Sequence, residues 1–248
     1  GLVYDLIQVS LSDYTVTNDS FTTELFQNIG FNDISTLWPI YTRFTDKDAY
    51  KDFLKAKDDE NIGREFYSTD YVLSVITLER DSFAYNLELS GLDFVYSLAQ
   101  RLPSIDFVII GSSLKDISNP AKYSSTPNLK FLGKVFSDTR MEQLYSNALC
   151  VYCPIIVPGF SNRLMEAMHY GKAIISPPSI RRYYDGLINE TNIILSSDPD
   201  IICLKINRMN LDPVYRQKIE ACCQKYYSEN FSPQVHRKHL EQICNIVS

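Results

Sequence analysis

The sequence lacks an apolar run long enough to cross a membrane as a helix, which takes about 20 residues. It also lacks a basic lead ahead of the short apolar stretch from Leu2 to Val9, so we predict no signal peptide there. Positive charge is in the minority, with 24 Lys and Arg against 30 Asp and Glu and a formal net charge of −6. This balance argues against a nucleic-acid partner, although it allows a local basic pocket for a small anion. We predict a globular protein of the cytoplasm or of the cytoplasmic face of a membrane.

Cysteine is present, but without the pattern of a disulfide framework. Six cysteines occur, and the spacing of Cys150 and Cys153 resembles half of a zinc or redox motif. Both lie in an apolar strand pattern, where residues three apart point to opposite faces of a sheet. We therefore predict buried thiols at both positions, and a reducing compartment for the protein.

Residues 71 to 195 alternate short β-branched strands with helical patterns, an order typical of a parallel sheet covered by helices on both faces. The predicted strands are Tyr71 to Thr77, Asp106 to Gly111, Leu129 to Leu132, Leu149 to Pro154, Ala173 to Ser176 and Asn192 to Leu195. A helix that Pro103 ends is predicted between the first two strands, and another over Thr139 to Asn147. Three more helices, near 198 to 209, 213 to 229 and 233 to 246, make the C-terminal end helical.

The first 65 residues follow a different pattern. Tyr14 to Val16 is interpreted as the end of a strand, and Phe21 to Ile29 as a helix that Gly30 closes. Leu37 to Tyr41, which contains a proline, is predicted to be an extended exit from that unit. The mixed-charge stretch from Asp46 to Arg64 indicates a solvated helix or linker, with a partner-binding surface as the alternative.

The segment from Gly159 to Ser176 has the clearest chemical pattern, because a glycine loop leads into a short helix and then into a buried strand. On that helix Asn162, Arg163 and Glu166 share one face, which we expect to be free to bind, while apolar residues line the other. A helix N-terminus presents unpaired N–H groups, and a glycine lets a phosphate approach the backbone. This layout is typical of a nucleotide-sugar site.

Four segments that follow one another along the chain resemble a known family, the retaining nucleotide-sugar glycosyltransferases of the GT-B architecture. Within that architecture the resemblance is to the glycosyl transferases group 1 type. The resemblance is to their C-terminal donor-binding domain and covers residues 71 to 246. It is carried by Asp106 to Gly111, Pro127 to Val135, Met141 to Ala148, and Glu166-Ala167-Met168 with Gly171 to Ser176. It implies an α/β fold in which a Rossmann-like parallel sheet has helices on both faces, as the C-terminal half of GT-B with a helical C-terminus.

The same resemblance implies roles for individual residues. Glu166 would accept hydrogen bonds from the donor ribose, and Arg163 would bind the diphosphate and stabilise charge on the leaving nucleotide, so these are the two catalytic candidates. Further donor-binding candidates are Gly111, Ser112, Val135, Phe136, Gly159, Phe160, Ser161, Asn162 and Arg80. A structural turn, core packing or a solvated side chain is the alternative for each. No metal and no cofactor are implied, since the nucleotide sugar is the substrate.

Pro158 departs from the family pattern. Many members carry a Glu eight residues before the ribose Glu, and here that position holds a proline, which has neither a carboxylate nor an N–H. Either the protein belongs to a branch in which Asn162-Arg163 forms a different version of the loop, or its catalysis is altered or lost. His169 is interpreted as a structural or surface residue.

The resemblance also predicts the division of the chain. Residues 1–65 would be the end of an N-terminal acceptor domain plus a linker, 66–230 the Rossmann-like donor-binding domain, and 231–248 a C-terminal helix. We expect the chain, which begins at Gly1 rather than Met, to be preceded by the rest of an N-terminal GT-B domain.

The predicted function is metal-independent, retaining transfer of a sugar of the hexosyl type. The donor would be a nucleoside-diphosphate sugar, carrying UDP or GDP, and the acceptor a glycan, lipid or protein, in polysaccharide or glycan biosynthesis. One alternative is a non-catalytic nucleotide-sugar-binding or scaffold subunit. The other is a GT-B-like nucleotide-sugar epimerase, which would need acid and base carboxylates and a histidine around the sugar.

Overall fold

The computed structural model describes residues 15–17, 20–36, 70–77, 91–117, 119–135, 137–154 and 161–247. The predicted exit at Leu37 to Tyr41 and the charged stretch from Asp46 to Arg64 lie outside these residues. So do five of the residues singled out in the sequence: Arg80, Phe136, Pro158, Gly159 and Phe160.

Two sheets are present in the described part of the chain. Near the N-terminus β1 (Thr15–Thr17) and β2 (Ile34–Thr36) pair in parallel, with helix α1 (Ser20–Asn28) between them in sequence. The second sheet has six strands, all parallel: β3 (Tyr71–Val75), β4 (Phe107–Ile110), β5 (Leu129–Gly133), β6 (Ala148–Tyr152), β7 (Ile174–Ser176) and β8 (Ile194–Leu195). Each of its six strands was predicted, and their ends differ by up to two residues from the predicted ends.

The order of the large sheet is β5-β4-β3-β6-β7-β8. The chain therefore builds outward from β3 in one direction, returns to the other side of β3, and builds outward again. Parallel sheets of this kind place ligands outside the carboxyl ends of the strands, at the point where the order reverses. Here that point lies between β3 and β6.

Helices cover both faces of this sheet, as predicted. They are α2 (Leu92–Arg101), α3 (Pro120–Ser124), α4 (Asp138–Asn147), α5 (Asn162–His169), α6 (Pro199–Leu211), α7 (Pro213–Asn230) and α8 (Pro233–Val247). Asp212 caps α7 by accepting the N–H of Tyr215 at 3.0 Å, which confirms the start signal there. The sequence did not predict α3, nor the 3₁₀ helices Leu114–Asp116 and Pro178–Arg182, because elements this short contain too little of a hydrophobic period to be recognised.

The core consists of two apolar layers, one on each face of the large sheet. One layer includes residues of α4, α5 and α7, and the other includes residues of α2 and α6. Cys150 lies in the second layer and Cys153 in the first, and both are buried free thiols. The opposite orientation of this pair, predicted from the strand period, is confirmed.

The amino edge of the sheet is held by ion pairs with α7. Arg216 Nη1 lies 2.9 Å from Asp70 Oδ1, just before β3, and Lys172 Nζ lies 3.2 Å from Glu220 Oε1, just before β7. None of the described helices is long and apolar enough to span a bilayer. The ion pairs with α7 lie at the amino edge of the sheet, and the candidate site lies at the opposite, carboxyl edge.

Candidate binding site at the carboxyl edge of the sheet

Helix α5 begins at the carboxyl end of β6, next to the reversal of strand order. Ser161 is its N-cap, and its Oγ accepts the backbone N–H of Leu164 at 3.3 Å. This places the N-terminal turn of α5, and with it the helix dipole, at the edge where a parallel sheet binds ligands.

The N-cap is held by a buried phenol from another part of the chain. The backbone N–H of Ser161 donates to the Tyr184 hydroxyl at 3.0 Å, and this hydroxyl donates to the Ser161 carbonyl at 2.9 Å. Tyr184 is buried, which raises its pKa above the ordinary range of a phenol and keeps the hydroxyl proton in place. Ser161 was predicted to be a donor-binding residue, but a ligand that bound its backbone N–H would have to displace the Tyr184 hydroxyl.

Arg163 stands in the first turn of α5 and is half-buried. Burial lowers the pKa of its guanidinium, while the nearby Cys153 thiol and Tyr145 phenol act in the opposite direction. Among the described residues no carboxylate lies within 4.0 Å of it. A cation held away from water without an anionic neighbour is costly, and an anionic ligand would offset that cost.

Glu166 follows Arg163 by one turn and is more deeply placed than the sequence suggested. Only 9% of this residue is exposed, and its Oε2 accepts a hydrogen bond from the Tyr145 hydroxyl at 3.1 Å. The expectation that Asn162, Arg163 and Glu166 form one face free to bind is therefore wrong in part. Exposure falls along that face, from an exposed Asn162 to a half-buried Arg163 and a buried Glu166. The buried side chain of Tyr145, from α4, lies against the Glu166 carboxylate in the second turn of α5.

Three other predicted residues follow neighbouring strands at the same edge. Gly111 and Ser112 come directly after β4, and Val135 follows β5. The Ser112 hydroxyl is buried and donates to the Ile76 carbonyl at 2.8 Å. That side chain is thus engaged within the fold.

Gly111 and Val135 also have structural roles. Gly111 has φ +97° and a Cβ there would lie 2.7 Å from the Ile76 carbonyl oxygen, so the turn requires glycine. Val135 is half-buried and packs against the core layer that contains α5. The sheet order sets β3 between β4 and β6, so Gly111 and Val135 lie on the other side of the strand reversal from Arg163 and Glu166.

Two tyrosines at the site were missed by sequence reasoning. Tyr145 contacts Glu166 and Tyr184 contacts Ser161, yet both come from segments remote in sequence, 21 and 23 residues away. No local pattern marks either residue, since Tyr184 stands between Tyr183 and Asp185 and Tyr145 between Leu144 and Ser146. His169, by contrast, agrees with its interpretation, since it is exposed and its ring contacts those of Tyr170 and Tyr227 edge to face.

The fold of the chain is similar to that of two longer solved structures. HepE from Anabaena, crystallised with UDP and glucose, has a TM-score of 0.69 at 13% identity, over 98% of this chain and 66% of HepE. Sucrose-phosphate synthase from Thermosynechococcus elongatus has a TM-score of 0.68 at 14% identity, over 99% of this chain and 61% of the synthase. The chain thus spans less than two thirds of either protein, and these identities show the fold alone.

A shorter structure matches the larger part of the chain. The C-terminal domain of LpcC, a glycosyl transferase group 1 family protein from Francisella tularensis, has a TM-score of 0.53 at 16% identity, over 67% of this chain and 89% of that domain. The predicted fold class, a Rossmann-like parallel sheet with a helical C-terminus, is confirmed.

Sequence comparison gives the family. No curated protein matches the chain. The model of the family described as glycosyl transferases group 1, however, matches residues 86–210, half of the chain. These residues include α2, the strands from β4 to β8, and the helix with Arg163 and Glu166. The chain belongs to the glycosyl transferases group 1 family.

Proposed function

We propose that this chain is the donor-binding part of a retaining, metal-independent glycosyltransferase that transfers a hexosyl group from a nucleoside-diphosphate sugar to an acceptor. The acceptor would be a glycan, lipid or protein, bound with the help of an N-terminal GT-B domain. The setting would be polysaccharide or glycan biosynthesis in the cytoplasm or at the cytoplasmic face of a membrane. Membership of the family supports glycosyl transfer as the reaction class.

The observation that carries the proposal is the half-buried Arg163 in the first turn of α5. It has no carboxylate partner among the described residues, and it stands where the helix dipole already favours negative charge. A diphosphate would supply the missing anion. During transfer, the charge that develops on the leaving diphosphate would be stabilised by a cation already in position, without reorganisation of solvent.

Glu166 suits the neighbouring part of the donor. A carboxylate is an acceptor-only group, so it would bind ribose hydroxyls and would repel a phosphate placed in the same position. The order Arg163 then Glu166 along α5 accordingly fits a diphosphate near the start of the helix and a ribose one turn further. The backbone N–H groups of Asn162 and Arg163, in that first turn, would complete the phosphate contacts.

The base is proposed from the neighbouring structures alone. HepE was crystallised with UDP and with UDP-glucose, and TarM from S. aureus was crystallised with UDP. We therefore propose a UDP-sugar first and a GDP-sugar second.

Equilibrium binding tests the proposal directly. Isothermal titration of the chain with UDP, GDP and a panel of UDP- and GDP-sugars, with EDTA present, should give a dissociation constant below 1 mM, of the order typical for substrates. The matched variants are Arg163→Ala and Arg101→Ala, the latter an exposed arginine paired with Asp200 at the end of α2. Only the first should lose affinity.

The outcomes separate the candidate functions. Absence of binding at millimolar ligand would remove the donor site and favour the scaffold alternative. Binding without transfer, in an assay that supplies an acceptor and the N-terminal domain, would indicate a non-catalytic binding subunit. Release of a sugar product whose anomeric configuration is inverted would contradict the retaining mechanism.

A further inference from the structure

Tyr145 connects the helix before β6 to the helix after it. It lies on α4 with its side chain fully buried, and its hydroxyl donates to Glu166 Oε2 on α5 at 3.1 Å. A hydrogen bond to an ionised acceptor is stronger than one between neutral groups, and here it is made away from water. The phenol therefore restrains the carboxylate that the proposed function assigns to ribose.

The orientation of the phenol is itself restrained. The Tyr145 ring stacks on Tyr170, with ring centroids 4.6 Å apart and planes 14° apart. Tyr170 is the C-cap of α5, so one segment carries both the ring that stacks on Tyr145 and the carboxylate that accepts its hydrogen bond. At the backbone next to Tyr145, the hydroxyl of Tyr71 donates to the Leu144 carbonyl at 2.6 Å and fixes the end of α4. The donor thus has little freedom to rotate or shift.

A glutamate side chain has three rotatable bonds, so an unrestrained Glu166 would sample several positions. Binding ribose would then cost the entropy of fixing it, and the geometry required to recognise two vicinal hydroxyls would be populated only part of the time. A restrained carboxylate avoids both losses, because the binding geometry exists before the ligand arrives.

We propose that Tyr145 is a positioning residue for Glu166, and that it sets the preference of the site for ribose over deoxyribose nucleotides. The inference rests on the proposed function, since it requires that Glu166 bind the ribose. Tyr145 itself does not contact the nucleotide in this proposal. Its effect should therefore appear in ribose recognition and not as a uniform loss of affinity.

The test compares pairs of ligands that differ in one hydroxyl. Dissociation constants for UDP, 2′-deoxy-UDP and 3′-deoxy-UDP are measured on the full chain, or for the GDP series where guanine is the base bound. The wild-type chain should prefer the ribonucleotide by about tenfold, the value of one lost hydrogen bond to a charged group. In Tyr145→Phe, which keeps the ring and its stacking, the preference should fall to about threefold or less.

The control is a second buried phenol with the same chemistry. Tyr123 donates to Asp93 Oδ1 at 2.7 Å on the other face of the sheet, so Tyr123→Phe also removes a phenol bound to a carboxylate. It should preserve the tenfold preference even if it lowers thermal stability as much as Tyr145→Phe does. A second variant, Tyr170→Leu, keeps both hydrogen-bonding groups but removes the stacked ring, and it should lower the preference as well.

The results discriminate between the two proposals. A full ribose preference in both Tyr145→Phe and Tyr170→Leu overturns the positioning role while the donor site stands. Wild-type binding without any ribose preference overturns the role of Glu166 and this inference with it. An absence of nucleotide binding by the wild-type chain removes the proposed function first. A preference lost in Glu166→Gln and unchanged on adding Tyr145→Phe supports the inference, because both residues then act through one contact.

Discussion

The Tyr184 hydroxyl accepts the backbone N–H of Ser161 and donates to the carbonyl of the same residue, at 3.0 and 2.9 Å. One phenol thereby bonds to both backbone polar groups of the N-cap of α5, whose carbonyl also accepts the backbone N–H of Met165. The Tyr184 ring in turn packs edge to face against Phe231, at the C-terminal end of α7. Phe231, between α7 and α8, thus contacts the tyrosine that holds the N-cap of α5.

Removing this phenol should disorder the N-cap. Tyr184→Phe keeps the ring but removes the acceptor of the Ser161 N–H, while the Ser161 carbonyl still accepts the backbone N–H of Met165 at 3.2 Å. We expect the free energy of unfolding to fall by about 1 to 2 kcal/mol. Nucleotide affinity should fall several-fold as well, because Arg163 follows Ser161 by two residues. Calorimetry and titration measure the two effects.

The control for Tyr184 is Tyr226→Phe. The Tyr226 hydroxyl donates to the Asp185 carbonyl, and its ring also packs against Phe231. This variant should lose a similar amount of stability and keep wild-type affinity. Equal affinities in the two variants would show that Tyr184 only supports the core.

Arg163→Ala should weaken binding of the nucleotide diphosphate by about 1 to 3 kcal/mol, since it removes a charged contact to phosphate. Stability should change little or rise, because the variant no longer holds a half-buried cation. The expected loss shrinks as salt is added, as screening weakens the interaction. Titration at two ionic strengths measures this, and affinity as high as in Arg101→Ala would remove the assignment of Arg163.

Glu166→Ala should also weaken binding by about 1 to 3 kcal/mol, through the ribose. A matched control is Glu142→Ala, an exposed carboxylate on α4. We expect the loss for Glu166→Ala to be smaller when the ligand is inorganic pyrophosphate, which has no ribose. A parallel loss with pyrophosphate would place Glu166 near the phosphates and contradict the assignment.

Gly111→Ala tests the turn that follows β4. Its φ of +97° is unfavourable for alanine, and the new Cβ would meet the Ile76 carbonyl oxygen at 2.7 Å. Gly30 has a similar φ of +102° but nothing within 4 Å of the added Cβ. We expect about 1 kcal/mol of destabilisation for Gly30→Ala and about 2 to 4 kcal/mol for Gly111→Ala, measured by chemical denaturation. Equal losses would mean that the turn moves to accommodate the side chain.

Because Cys150 and Cys153 are buried, we expect the protein to lose stability at alkaline pH. Burial raises the pKa of Cys150 and of Cys153 to about 12, while an unfolded cysteine ionises near pH 8.5. Between these values the unfolded state releases protons that the native state retains, so each thiol lowers the free energy of unfolding by about 1.4 kcal/mol per pH unit. Below about pH 8.5 the contribution to stability is constant.

Two measurements check this. Cys153→Ala should have a shallower decline of stability above pH 9 than the wild-type chain, even though the cavity lowers its stability at every pH. At pH 8.5 iodoacetamide should modify the exposed Cys244 and leave Cys150 and Cys153 unmodified, as seen by mass spectrometry of peptides. Equal modification of the three would show that the native state opens at both apolar layers.

The parallel sheet could be predicted because each strand carries a local signal. The runs at Phe107–Ile110 and Ala148–Tyr152 are short, apolar and bounded by turn residues, and their alternation with helices leaves few topologies. Helix starts such as Asp212-Pro213 could also be predicted, because a capping residue followed by a proline is a local signal. The 3₁₀ helix at Pro178–Arg182 has no such period, and its position depends on contacts made by Tyr183 and Tyr184 in the core.

The candidate site, too, could be predicted from the sequence only in part. Helical spacing sets Arg163 and Glu166 one turn apart after a strand, and the resemblance to the GT-B family makes them donor-binding candidates. What the sequence did not contain is the depth of each residue. Glu166 is buried and bonded to the Tyr145 phenol of α4, which lies 21 residues away in sequence and is brought beside it only by the fold.

The sequence by itself therefore determined the fold class, the family and the spacing of Arg163 and Glu166 along one helix, because these depend on periodicity and on the order of segments. The tertiary structure alone decided which polar groups those residues meet. The Tyr145 to Glu166 and Tyr184 to Ser161 hydrogen bonds each join groups more than 20 residues apart. Such contacts arise from packing across the sheet, which no local pattern encodes.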